Sequence, residues 1–146
     1  RSVLIENVSS YIRFEADQML ESEFLCELSQ RTACGILLDV NNVFVNQFNH
    51  GEDAQIEFAQ YRRQRSSIGE IHLAGHTQLD DCLIDDHGSQ IKPDVWALYE
   101  QVCQQISAHI PTLIEWDTNV PEIEVLISEA QKAREIQNKY QRVNYA

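Results

Sequence analysis

Four short apolar runs, each followed by a stretch of helical period, constrain this chain more than any other feature. The runs are Val3–Ile5, Ile36–Leu38, the stretch around Ile71, Leu73 and Ala74, and Thr112–Ile114. Leu20, Phe24, Leu25 and Leu28 predict a helix over about residues 21–31. Ile56, Ala59 and Tyr61 predict a second over about 53–64, with Arg62, Arg63 and Arg65 at its C-terminal end, where cations suit the helix dipole. Val95, Leu98, Val102 and Ile106 follow Pro93, whose missing N–H costs nothing in a first helical turn. Ile123, Leu126, Ile127 and Ala130 follow Pro121 in the same way. Strands alternating with helices imply a parallel sheet under helical cover. Residues 15–20 and the Asn-rich stretch from Val40 to Gly51 read as loops, and the polar tail from Lys139 as frayed.

Each run also ends in a side chain that can bind a metal: Glu6, Asp39, His72 and Glu115. In α/β barrels the active site lies at the C-terminal ends of the strands, so four such ends would converge there. Taken singly, each has an ordinary explanation. A strand-end carboxylate often caps the next helix, and a strand histidine is often a hydrogen-bonded core residue. The repetition in every unit favours a metal site instead. After the third run comes a polar loop with His76, Asp85 and His87; imidazole and carboxylate together suit a hard or borderline cation. Asp85 and His87 alternate as strand residues would, which puts both on one face. His76 reads as a ligand, a proton-transfer group or a partner to a ligand. Asn42 can lend a carbonyl oxygen, and Asp117 can orient a ligand histidine through its other ring nitrogen. His50 reads as a turn or surface residue and His109 as a cation at a helix end.

Composition excludes several partners. With 23 acidic against 11 basic residues and a net charge of −12, the chain repels nucleic-acid backbones and anionic membrane surfaces. No apolar run reaches membrane-spanning length, and no Gly-rich phosphate fingerprint follows a strand. The four cysteines form no Cys-x-x-Cys pair, so reduced thiols in a cytoplasmic protein are expected. The chain opens on Arg1-Ser2-Val3 without Met, and a native start further upstream is the expectation.

Leu4-Ile-Glu-Asn7, Leu38-Asp-Val-Asn-Asn42, Asn49-His-Gly51, Ile71-His-Leu-Ala-Gly-His76, Ile84-Asp85 with His87, Val95-Trp-Ala-Leu-Tyr99 and Thr112-Leu-Ile-Glu-Trp-Asp117 carry a resemblance. Together they resemble the multinuclear non-haem iron-dependent oxidases that modify cysteine-containing precursor peptides, as in methanobactin maturation. The resemblance implies a (β/α)8 TIM barrel of the xylose-isomerase-like type. This chain would be roughly its C-terminal half, with four β/α units over residues 1–138 and a polar tail at 139–146. It implies two or three iron ions, with Glu6, Asp39, His72 and Glu115 at ligand positions and Asn42, Asp85 and His87 in the region of further ligands. It also implies use of dioxygen on a peptide cysteine, and a small partner protein that delivers the peptide. Family members are about twice this length, and their first half supplies further histidines.

Two other readings stay open. One is a divalent-metal-dependent isomerase or hydrolase on the same barrel, using zinc, manganese or magnesium. The other is a non-catalytic half-barrel that binds peptide. In either case two open sheet edges need cover, from a second copy or from the missing half.

Overall fold

The computed structural model describes residues 3–141. Four strands form one parallel sheet in the order β1 (Leu4–Glu6), β2 (Gly35–Asp39), β3 (Ile68–Leu73) and, at the far edge, the strand Thr112–Ile114. Between the last two lies a small antiparallel hairpin of β4 (Thr77–Gln78) and β5 (Leu83–Ile84), so the far strand is β6. The helices are α1 (Glu21–Thr32), α2 (Val40–His50), α3 (Ala54–Arg63), α4 (Pro93–Gln105) and α5 (Ile123–Gln141). The expected α/β alternation and parallel sheet are both present.

Side-chain alternation gives the sheet two unlike faces. Ile36, Leu38, Ile71 and Leu73 are fully buried and meet Leu25, Phe58, Tyr61, Val95, Tyr99 and Val102 from the helices in one core. Full burial of each such aliphatic side chain contributes about 1.5–3 kcal/mol. The other face carries Glu6, Leu37, Asp39, His72, Leu113 and Glu115. Register sets their level: Glu6 pairs with Leu37, Asp39 with His72, and His72 with Leu113. The four strand-end ligand candidates therefore share one face of one sheet.

Several local expectations are corrected. The Asn-rich stretch is helix α2, not a loop. Asp39 caps it by accepting the Asn42 N–H at 2.7 Å, and Gly51 ends it in the left-handed region at φ 69°. Asn is a poor helix former, but Asn41, Asn42 and Asn46 are all buried and bonded to other elements, which overrides propensity. In α3 the inward residues are Ala54, Glu57, Phe58 and Tyr61, while Ile56 is 51 % exposed. In α1 Phe24 faces outward. Helix α5 begins at Ile123, two residues after Pro121, and turns Glu129, Ala133, Ile136 and Tyr140 toward the core; Ile123, Ile127 and Ala130 are exposed. The helix continues through Lys139 to Gln141, and residues 142–146 lie outside the described part, as do Arg1 and Ser2. His109 lies in the turn after α4, past its end.

Candidate metal centre

Glu6, Asp39, His72 and Glu115 each offer a donor atom within 4.8 Å of the other three. They come from four different strands, so only the sheet brings them together. His72 Nδ1 lies 2.8 Å from Glu115 Oε2 and 3.7 Å from Glu6 Oε1. Asp39 is fully buried. Its Oδ1 caps α2, but its Oδ2 has no hydrogen-bond partner among the described residues. Burial pushes the Asp39 carboxyl up to about 8, against the Asn42 N–H bond that favours its charge, and the Asp85 charge adds to the rise. Glu6 is raised as well, first by burial, while His72 pulls the other way. Buried carboxylates with an unused oxygen are costly without a cation. This donor set fits one.

A second group adjoins the first. His87, Glu115 and Asp117 also offer donors within 4.8 Å of one another, with Glu115 common to both groups. His87 Nδ1 is 3.2 Å from Asp117 Oδ2 and 3.5 Å from Glu115 Oε2. Its Nε2 lies 2.6 Å from Asp85 Oδ1, off the line of a regular hydrogen bond. That contact with Asp85 drives the ring's pKa up to about 9, outweighing burial.

Asp85 and His87 do not share a face by the strand alternation that their spacing predicts. Strand β5 ends at Ile84, and His87 has a left-handed φ of 47°, so strand alternation does not apply. The turn brings the two together instead. The Asp117 N–H bonds the His87 carbonyl at 2.9 Å, and the Thr118 hydroxyl bonds that of Asp86 at 2.9 Å, tying this turn to the end of β6.

Asp85 joins neither group and serves as a hub. Ser9 donates to its Oδ2 at 2.9 Å, Asn41 to its Oδ1 at 2.7 Å, and its own N–H bonds the Tyr11 hydroxyl at 2.9 Å. His76 is buried behind it, with Nδ1 2.8 Å from Asn41 Oδ1 and its ring 5.3 Å from that of Phe44. Asn42 donates to the Asn7 carbonyl at 3.0 Å and leaves a buried Oδ1 without a partner among the described residues. His50 is not a free surface residue: its Nε2 meets the Ser10 carbonyl at 2.6 Å and holds the loop after β1.

Sequence reasoning missed the residues that hold the candidate ligands in place. Asn7 and Asp39 exchange two bonds, at 2.9 and 2.8 Å, that lock the end of β1 to the end of β2. The site roles of Ser9, Tyr11 and Asn41 depend on contacts 44–76 residues away along the chain, so no local pattern announces them.

Comparison with known proteins bears on this geometry. The family model described as "RiPP precursor modification enzyme MbnB/TglH/ChrH" matches residues 1–138. The UPF0276 protein of Anaeromyxobacter sp. (strain Fw109-5) is 46 % identical over 137 residues, which are 94 % of this chain and 47 % of that protein. Its counterpart in Chromobacterium violaceum is 44 % identical over 136 residues, covering 93 % and 48 %. A third, from Rhizorhabdus wittichii, is 46 % identical over 142 residues, covering 97 % and 50 %. The chain thus spans about half the length of the curated relatives it matches. With a match over nearly its whole length, this chain belongs to the MbnB/TglH/ChrH family of RiPP precursor modification enzymes.

Proposed function

We propose that this chain carries the metal-binding part of an iron-dependent oxidase that uses dioxygen to modify cysteine residues of a ribosomally made precursor peptide. The observation that carries the reading is the convergence of Glu6, Asp39, His72 and Glu115 within 4.8 Å on one sheet face. Family membership supports the peptide substrate. Glu6, Asp39, His72 and Glu115 would hold one ion; His87 and Asp117 would hold a second through the shared Glu115; Asp85, in contact with His87, and Asn42, bonded to Asp39, would be further ligands. Two or three bound iron ions would supply electrons for dioxygen and a Lewis-acid seat for a peptide thiolate.

The protein's own residues have separate tasks. Asn7 fixes the level of Asp39. Asp85 and Asp117 take the two sides of the His87 ring and set its plane. His76, buried and neutral, can hold or release a proton beside the site, since burial lowers its pKa and the Lys92 charge lowers it further. A small partner protein would present the peptide to this site.

We read the four β/α units over residues 1–138 as half of a (β/α)8 barrel of the xylose-isomerase-like type. Strands β1 and β6 are both edges, and in this reading the face with the candidate ligands would line the barrel lumen. Apolar residues stand exposed beside each edge: Val3 next to β1, and Leu113, Ile123 and Ile127 on β6 and the helix packed against it. A second reading, an isomerase or hydrolase using zinc, manganese or magnesium, draws on the oxygen-rich donor set. No helix among the described residues is long and apolar enough to cross a membrane.

Metal analysis of the intact protein purified without oxygen, followed by oxygen uptake on a cysteine-containing precursor peptide, separates the readings. Iron with peptide-dependent uptake supports the oxidase. Zinc or magnesium without uptake supports the alternative.

A further inference from the structure

Asn41, the second residue of α2, has no exposed surface, and both ends of its amide are engaged. Nδ2 is 2.7 Å from Asp85 Oδ1, and Oδ1 is 2.8 Å from His76 Nδ1. The two ends of an amide differ in hydrogen-bonding sense, so their partners decide its orientation.

Asp85 decides it here. Its Oδ2 accepts the Ser9 hydroxyl at 2.9 Å, and its Oδ1 faces both Asn41 Nδ2 at 2.7 Å and His87 Nε2 at 2.6 Å, so donors meet both oxygens. An ionised carboxylate only accepts, so Asn41 must present its NH2 to Asp85 and its carbonyl oxygen to His76. A carbonyl oxygen also only accepts, so the hydrogen of the His76 ring must sit on Nδ1. Burial and the nearby Lys92 charge keep that ring neutral, with one N–H to place. Nε2 is then left with its lone pair, and no described residue is bonded to it. Phe44, tilted by 30° against the ring, packs beside it.

We propose that Asn41 is a positioning residue that holds His76 as the Nδ1–H tautomer, so that Nε2 is available as a base or a ligand atom at the strand-end site. The chain of partners is continuous: the His87–Asp85 contact orients the Asn41 amide, and the amide sets the proton on His76. Use of the Nε2 lone pair in proton transfer rests on the function proposed above. The tautomer itself does not.

The test is long-range 1H–15N correlation on the full chain with 15N-labelled histidine, metal removed by chelation, and His76 assigned from the spectrum of His76→Gln. The expected result is a single neutral tautomer with the hydrogen on Nδ1. In Asn41→Gln an amide still has an NH2 for Asp85 and a carbonyl oxygen for Nδ1, and the tautomer is retained. In Asn41→Leu the acceptor is gone, and the hydrogen moves predominantly to Nε2. A wild-type His76 with its hydrogen on Nε2, or doubly protonated at neutral pH, overturns the proposal whether or not any variant folds. An unchanged tautomer in a folded Asn41→Leu overturns it too. In the intact enzyme, Asn41→Leu should lower kcat more than KM, with Asn41→Gln restoring much of it. An altered tautomer with unaltered kcat would remove His76 from the chemistry while leaving the role of Asn41 in place.

Discussion

His72 and Glu115 meet across the neighbouring strands β3 and β6, with Nδ1 2.8 Å from Oε2. The contact depends on register. His72 pairs with Leu113, and the Glu115 N–H bonds the Leu73 carbonyl at 2.9 Å, which carries the carboxylate two residues past the imidazole on the same face. An imidazole and a carboxylate so placed can share an ion or, without one, a proton. Glu115 also faces His87, so a change at Glu115 should reach both ligand groups.

His72→Ala removes one donor from the four-strand group without touching the buried apolar face. Loss of an outer-shell partner typically weakens metal binding about 10–100-fold. Loss of His72 should exceed that while leaving the far-ultraviolet circular dichroism unchanged. Equilibrium dialysis against Fe2+ or Zn2+ checks it; retained affinity would make His72 a structural histidine.

Asn7→Leu breaks both bonds to the Asp39 backbone, leaving its buried N–H without the Asn7 acceptor at about 1–3 kcal/mol. Urea unfolding should show the loss in metal-free protein, and metal affinity should fall with it because Asp39 is no longer held level with His72. An unchanged midpoint would mean that the strand ends are fixed by the sheet alone.

How far the sequence was legible depends on distance along the chain. The strands and the polar residues that end them could be read because apolar runs and a terminal polar residue are local signals. Asp39 illustrates both explanations weighed for it: one oxygen caps α2 and the other is unused. Helix α2 was misread because its Asn residues take their bonds from β1, the following loop and the hairpin, and none of those contacts is visible locally. Ile56, Ile123 and Ile127 fit a helical period but lie on faces with no neighbour among the described residues to bury them. Ser9 and Tyr11 reach Asp85 across 76 and 74 residues, which no spacing rule anticipates.

Gly75 in the His-Leu-Ala-Gly-His stretch marks a close approach. A Cβ there would lie 2.0 Å from the Ser89 carbonyl oxygen, a backbone atom that cannot swing away. Gly75→Ala should therefore cost about 1–3 kcal/mol, in the range of overpacking, and push His76 off Asn41. Denaturant unfolding and the His76 ring resonances together check this. A variant of wild-type stability would show that the two loops separate freely.

Glu21 supplies a pH dependence away from the candidate metal ligands. Burial lifts its carboxyl to about 7, against the Val8 N–H bond that lowers it, and the Glu57 and Glu52 charges add to the rise. A carboxyl raised on folding binds its proton more tightly in the folded state. Its contribution is complete below the ordinary value of 4.5 and is lost as pH rises through about 7. Glu21→Gln keeps an acceptor for Val8 without the charge, so it should be more stable than wild type at pH 8 and no more stable at pH 4. Thermal melts across that range test the sign; a gain confined to low pH would contradict it.

The most direct test is where a metal binds. Anomalous diffraction from crystals of the intact protein loaded with iron should place a peak in ligand contact with Glu6, Asp39, His72 and Glu115. A second peak is expected beside Glu115, His87 and Asp117. Metal bound elsewhere, with these four side chains free of it in well-ordered density, would contradict the account.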